Sequence, residues 1–204
     1  MNAFDLVFWS LAALLLIRLI ATDDPRPWLA LGLLLGVGLL NKISLLFFGA
    51  GLGVAVVATP LRRHLRHWQL WAGAGVALLL FVPHLLWQAR HDWPTLEFMA
   101  NAMRYKNAPL SPLAFLAAQL VENHPFNALL WLGGLAWLAA DREGRRFRAV
   151  AWLFLTVLAL MLATRSKPYY LAGAFPALLV AGSKPVSPAG HARPYFAGAT
   201  PSPK

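Results

Sequence analysis

Apolar residues in this chain fall in long runs separated by short polar breaks, and they do not recur at the spacing of a helix with one wet face. Runs of this kind read as helices surrounded by lipid. Backbone groups in lipid must bond within the chain, so only helices or a closed barrel qualify. The runs last 13–21 residues without alternation, which excludes the barrel. Seven candidate spans follow, at residues 4–21, 28–40, 43–59, 68–88, 126–140, 149–164 and 169–182. At ~1.5 Å per residue the first reaches ~27 Å, close to the ~30 Å hydrocarbon core. The second and third would together reach ~48 Å as one helix, so we expect a break at Asn41-Lys42 and a tight hairpin. Gly32 and Gly36 on one arm, and Gly49 and Gly53 on the other, make small-xxx-small faces for close packing. Pro83 is expected to break the fourth span near its end.

Two segments depart from this pattern. The polar stretch 90–111 (RHDWPTLEFMANAMRYKNAPLS) is too long for a turn and is expected to carry its own structure or function. Residues 112–122 predict a short helix opened by Pro112 and capped by Ser111. Eleven residues cannot span, so this helix is expected along the membrane interface. The expected fold is all-α: a polytopic transmembrane helical bundle of about seven helices plus one interfacial helix. Residues 1–182 form the transmembrane domain. Residues 183–204 are rich in Pro, Gly, Ala and Ser and are expected to be a disordered tail.

Composition strengthens this picture. Apolar residues make up 59% of the chain and charged residues 13%, too few charges to cover a soluble domain of this size. There is no cysteine, hence neither a disulfide framework nor a thiolate metal site. The net charge of +10 would raise nucleic acid as a partner in a soluble protein. Here no basic run is longer than a short loop, so orientation of membrane helices is the better reading.

Charge then predicts sidedness. With seven spans, twelve of the eighteen Lys and Arg residues fall on one side, among them Arg62, Arg63, Arg66, Arg142, Arg145, Arg146 and Arg148. The other six are Lys42, Arg90, Arg104, Lys106, Arg165 and Lys167. The positive-inside rule makes the first side cytoplasmic and puts the amino terminus outside. Met1 is followed by Asn2 and Asp5 with no basic stretch, so no cleavable signal peptide is expected.

The outer face therefore collects the candidate chemistry. It holds Asn2, Asp5, Asn41, Lys42, the 90–111 loop with Arg90, His91, Asp92, Arg104 and Lys106, then His124, Arg165, Lys167 and Tyr169. Cations at the ends of several helices can grip a phosphate or diphosphate carried on a lipid. The plain alternative is ordinary solvated loop cations. Lys42 is the exception, because a lysine between two apolar helices is costly without a partner. Asp5 lies in the first turn of a span, where it caps the helix or faces outward. His91-Asp92 and Glu122-Asn123-His124 lack metal-ligand spacing, and no metal or cofactor is expected. Trp28, Trp68, Trp87 and Trp93 read as interfacial belt residues.

Four segments in order resemble the bacterial glycosyltransferase family 39, GT-C membrane enzymes related to protein O-mannosyltransferases and the lipid A aminoarabinose transferase. They are MNAFDLVFW (1–9), GLLLGVGLLNKIS (32–44), VPHLLWQARHDWPTLEFM (82–99) and RSKPYYLAGAFPALLVAG (165–182). The resemblance implies transfer of a sugar from a polyprenyl-phosphate donor to a lipid or protein acceptor, at the outer face of the bacterial inner membrane. It implies a carrier-phosphate contact for Lys42, and places Lys167 and Tyr169 beside the same cavity. Asn2 stands where many relatives have an acidic residue. The resemblance also implies an earlier helix and a first outer loop bearing the catalytic aspartate. Neither is found before Met1, so the chain is expected to be a fragment lacking that base. Competing expectations are a transporter or channel component, with a midplane cavity and internal repeats, and a hydrophobic scaffold subunit.

Overall fold

The computed structural model describes residues 2–105 and 110–183. Among these residues the fold is all-α. The helices are α1 (Asn2–Thr22), α2 (Pro27–Asn41), α3 (Leu45–Ala58), α4 (Trp68–Arg90), α5 (Pro94–Tyr105), α6 (Pro112–Glu122), α7 (Pro125–Ala140), α8 (Arg148–Ala163) and α9 (Phe175–Gly182). Three 3-10 helices, Pro60–Arg66, Gly144–Phe147 and Pro168–Ala174, join them. Proline opens seven of these twelve elements at its first or second position, where the missing N–H costs nothing.

Three helices are long and apolar enough to cross a membrane: Phe4–Thr22, Trp68–Arg90, and Gly144–Ala163, where a 3-10 turn leads into α8. A fourth crossing results if Leu45–Ala58 and Pro60–Arg66 count as one broken span. The other expected spans are apolar helices of 10–17 residues, Pro27–Asn41, Pro125–Ala140 and Pro168–Gly182. The last of these is 3-10 before it is α. Pro168 and Pro176 each remove a backbone donor there and leave the tighter turn in between.

The break between α2 and α3 lies where the sequence places it, with Lys42 extended at φ −158° and ψ 131°. The two arms do not form a closed pair. α2 packs chiefly against α4, and α3 chiefly against α8. A Cβ at Gly32 would fall on the backbone of Gly73 in α4, and one at Gly36 would press on Ala77 and Leu80. Those steps rise together along both helices, so α2 and α4 run parallel. On α3 the expected glycine face is corrected. Gly49 and Gly53 meet nothing within 4 Å, and it is Gly51 that lies against Leu153 and Val157 of α8. Pro83 is a second correction: α4 continues through it to Arg90. One lost bond in a long apolar helix does not outweigh the bonds on either side.

The core sits around α1. Trp9 meets Phe48 edge-on with ring centres 5.3 Å apart, and Phe154 and Phe175 meet at 5.5 Å. Leu16, Leu19 and Met161 are wholly enclosed beside them. The polar stretch 90–111 has structure of its own, namely α5, with no buried residue. Ser111 caps α6 as expected, its hydroxyl accepting the Ala114 N–H at 3.2 Å. The tail beyond Ser183 lies outside the described residues.

Candidate functional site

Two polar clusters mark the two ends of α1. At its start, Asp5 turns inward rather than outward or onto the helix end, which corrects the sequence reading. Its Oδ2 is 2.8 Å from Lys42 Nζ, and its Oδ1 accepts the Ser44 hydroxyl at 2.5 Å. Asp5 keeps only 13% of its side chain exposed and Lys42 23%. Ser44 is buried. The geometry follows from the helix break. Lys42 leaves α2 extended and Ser44 precedes α3, so both side chains reach back to the first turn of α1.

Tyr170 closes the cluster, with Lys42 Nζ 5.1 Å from its ring centre, and Tyr169 meets Tyr170 edge-on at 4.6 Å. Both tyrosines ride on the 3-10 helix Pro168–Ala174, whose N-cap is the half-buried Lys167. Gln119 of α6 holds that helix. It is buried, and its Nε2 donates to the carbonyls of Pro168 and Phe115 at 3.3 Å. Just before it, Arg165 and Ser166 line a cleft of about 490 Å³ together with Ser111, Pro112 and Phe115. Arg165 takes φ 50°, a left-handed turn that ends α8.

The structure therefore gathers Lys42, Lys167 and Tyr169 around one end of the bundle, with Arg165 two residues from Lys167. Asn2 lies one turn before Asp5 on α1. Arg90, His91 and Asp92 form an exposed turn at the end of α4, which reaches past the Lys42 end of α2. His91 stacks on Trp87 at 4.5 Å and its Nδ1 is 2.8 Å from the Trp87 carbonyl oxygen. Arg104 lies 5.4 Å from the Tyr105 ring, and His124 stacks on Phe126. Lys106 lies outside the described residues. Partial burial raises the pKa of nearby Glu122 above the usual carboxylate value.

Sequence reasoning passed over Ser44, read Tyr170 as an interfacial belt residue within the Lys-Pro-Tyr-Tyr segment, and took Gln119 only as a polar residue of the short helix. Ser44 had a signal, since a hydroxyl two residues after an isolated lysine shares its turn. It passed over Gln88 as well, which takes the amide N–H of Thr95 at 3.1 Å and fixes the start of α5.

Asp5, Lys42 and Ser44 all come from the chain's first half. Residues 1–87 match the family model of the dolichyl-phosphate-mannose-protein mannosyltransferases. The match runs from α1 through most of α4 and supports the GT-C glycosyltransferase resemblance. No curated protein and no solved structure matches the chain. Tyr170 lies beyond the matched residues and joins the site by geometry alone, and Lys167 and Arg165 also lie outside the match.

The opposite end of α1 carries the second cluster. His64 is almost wholly buried, and its Nδ1 accepts the Trp28 indole N–H at 3.1 Å. Indole is a donor only, so the ring hydrogen sits on Nε2 and points to Asp23 Oδ1 at 3.1 Å. Arg63 pairs with the same oxygen. Arg146 donates to the Ile20 and Ala21 carbonyls, which satisfies the last turn of α1.

Proposed function

We propose that this chain is a membrane glycosyltransferase of GT-C type, whose Lys42 end receives the phosphate of a polyprenyl-linked sugar donor. In the transfer, an acceptor hydroxyl attacks the anomeric carbon and loses its proton to solvent, the bond from that carbon to phosphate oxygen breaks, and polyprenyl phosphate leaves with the bonding electron pair. Negative charge grows on the leaving phosphate. A fixed ammonium there lowers the barrier because it is already oriented when the charge develops. One observation carries this reading: inside the family-matched segment, Lys42 is held by Asp5 at the break between two apolar helices. Both Asp5 oxygens are engaged, by Lys42 and Ser44, which makes Asp5 a positioning group for the lysine and not a free base. The Arg165 cleft beside the 3-10 helix offers room for the sugar or its acceptor. The proposed setting is the outer face of a bacterial inner membrane, with a lipid or protein as acceptor.

The test is binding of polyprenyl phosphate to the full chain in neutral detergent. Lys42→Gln should weaken it about tenfold, in line with loss of a charge-assisted bond. The double variant Asp5→Asn, Lys42→Gln removes the unpaired carboxylate and should bind equally weakly while folding normally. Undiminished binding in both would remove Lys42 from the site.

A further inference from the structure

An apolar groove of about 400 Å³ runs between α2, α3 and α4. Gly49 and Gly53, which pack against nothing, form its floor on α3. Their bare backbone leaves a channel where side chains would otherwise stand. At one end the groove reaches Leu65 of the 3-10 helix Pro60–Arg66. That helix turns 99° away from α3, which lays it across the end of the bundle. Its three-residue repeat buries Leu61 and His64 and leaves Arg62, Arg63 and Arg66 exposed.

The helix is also fixed in place. Thr59 starts it, accepting the Leu61 N–H at 3.3 Å while donating to Ala55 O at 2.7 Å. His64 ties it to Trp28 and Asp23, and the Trp71 indole donates to Leu65 O at 2.8 Å. Asp23 occupies Arg63, which leaves Arg62, one 3-10 turn before the groove-lining Leu65, and Arg66, next to Leu65 in the chain, as exposed cations of this helix outside that pair. Trp68 and Trp71 stand exposed next to them, as belt residues do at headgroup depth. Exposed Arg142, Arg145 and Arg148 add to the positive field, since Arg146 of that loop is bonded to the same end of α1.

We propose that this end of the molecule binds an anionic phospholipid, its phosphate headgroup on Arg62 and Arg66 and one acyl chain in the α2–α3–α4 groove. Charge selects the lipid. Fixed arginines beside an apolar channel complement a negative headgroup joined to a hydrocarbon chain, and a zwitterionic lipid gains less from them. This site lies at the opposite end of α1 from Lys42 and does not rest on the glycosyltransferase reading. The groove's far end is lined by Leu39 and Leu45, close to Lys42, which makes a prenyl chain the competing occupant.

The experiment measures retention of added phosphatidylglycerol, phosphatidylcholine and polyprenyl phosphate by the full chain in neutral detergent, using native mass spectrometry. Phosphatidylglycerol should be retained in preference to phosphatidylcholine. The double variant Arg62→Gln, Arg66→Gln should lose about fivefold in phosphatidylglycerol affinity for each arginine removed. Gly53→Leu, whose Cβ meets nothing within 4 Å, puts a side chain into the groove and should weaken phosphatidylglycerol as well. Leu46→Trp narrows the same groove and serves if Gly53→Leu melts early. Lipid-free melting of the arginine variant should match the parent chain. Equal retention of the two phospholipids overturns the proposal. So does a groove variant that weakens polyprenyl phosphate and leaves phosphatidylglycerol unchanged, because the groove then belongs to the prenyl chain.

Discussion

Lys42 is tolerated beside apolar helices because its neighbours balance its charge. Asp5 supplies the counter-ion, Ser44 holds the carboxylate's other oxygen, and the Tyr170 ring presents its negative face to the ammonium. Removing one member leaves the rest poorly solvated. Asp5→Ala should therefore cost about 1–3 kcal/mol, less than for a fully buried pair because both side chains still reach the surface. The double-mutant cycle with Lys42→Ala should return a coupling of about 1–2 kcal/mol, read from unfolding in mixed detergent micelles. A coupling near zero would mean that the contact does not shape the site. The isolated lysine was visible in the sequence because its setting was so apolar. Its partner was not: a carboxylate 37 positions earlier pairs with it only after α1 and α2 have packed.

Among the helices, glycine spacing stated a capacity for close approach without saying where a partner would be. The same four-residue spacing occurs on α2 and α3, yet only α2 uses it, against Gly73, Ala77 and Leu80 of α4. This separates two substitutions that look alike on paper. Gly32→Ala puts a methyl onto the Gly73 backbone, which no side-chain rotation can relieve. It should destabilise by about 1–3 kcal/mol. Gly49→Ala faces open space and should be neutral or gain up to ~1 kcal/mol from lower chain entropy in the unfolded state. Melting temperatures in one detergent decide the matter, and equal losses would show that α2 and α4 do not meet at these glycines. The existence of the apolar helices, the break at Asn41-Lys42 and the Ser111 cap were legible because each has a local cause, while α5 was not foreseen as a helix. The choice of partner helix depends on neighbours remote in sequence, whereas the passage through Pro83 and the 3-10 start at Pro168 have local causes that hydrophobic patterning alone does not weigh.

For the molecule as a whole, polar chemistry divides between two ends that the helices keep apart. α1 runs from the Asp5–Lys42 pair to the Asp23–His64 pair, and α8 returns from Arg146 to Arg165. α4 likewise runs from the arginine-bearing 3-10 helix to Arg90. The exposed arginines of both short connecting turns thus share an end with Asp23, while Lys42, Lys167 and Arg165 share the other. The sequence anticipated this division from the alternation of spans, because loops alternate sides whatever the packing, and charge served only to predict which side is cytoplasmic. With no cysteine in the chain, each introduced thiol reports by itself. Thr164→Cys and Leu110→Cys should react with a membrane-impermeant maleimide added outside intact cells, since both are exposed near the Arg165 cleft. Arg62→Cys and Arg142→Cys should react only after the membrane is opened. Labelling of Thr164→Cys and Arg142→Cys from the same compartment would contradict a membrane-crossing α8. A clean reversal of all four would keep the bundle but turn the Lys42 site toward the cytoplasm. A donor presented at the outer face would then be out of reach.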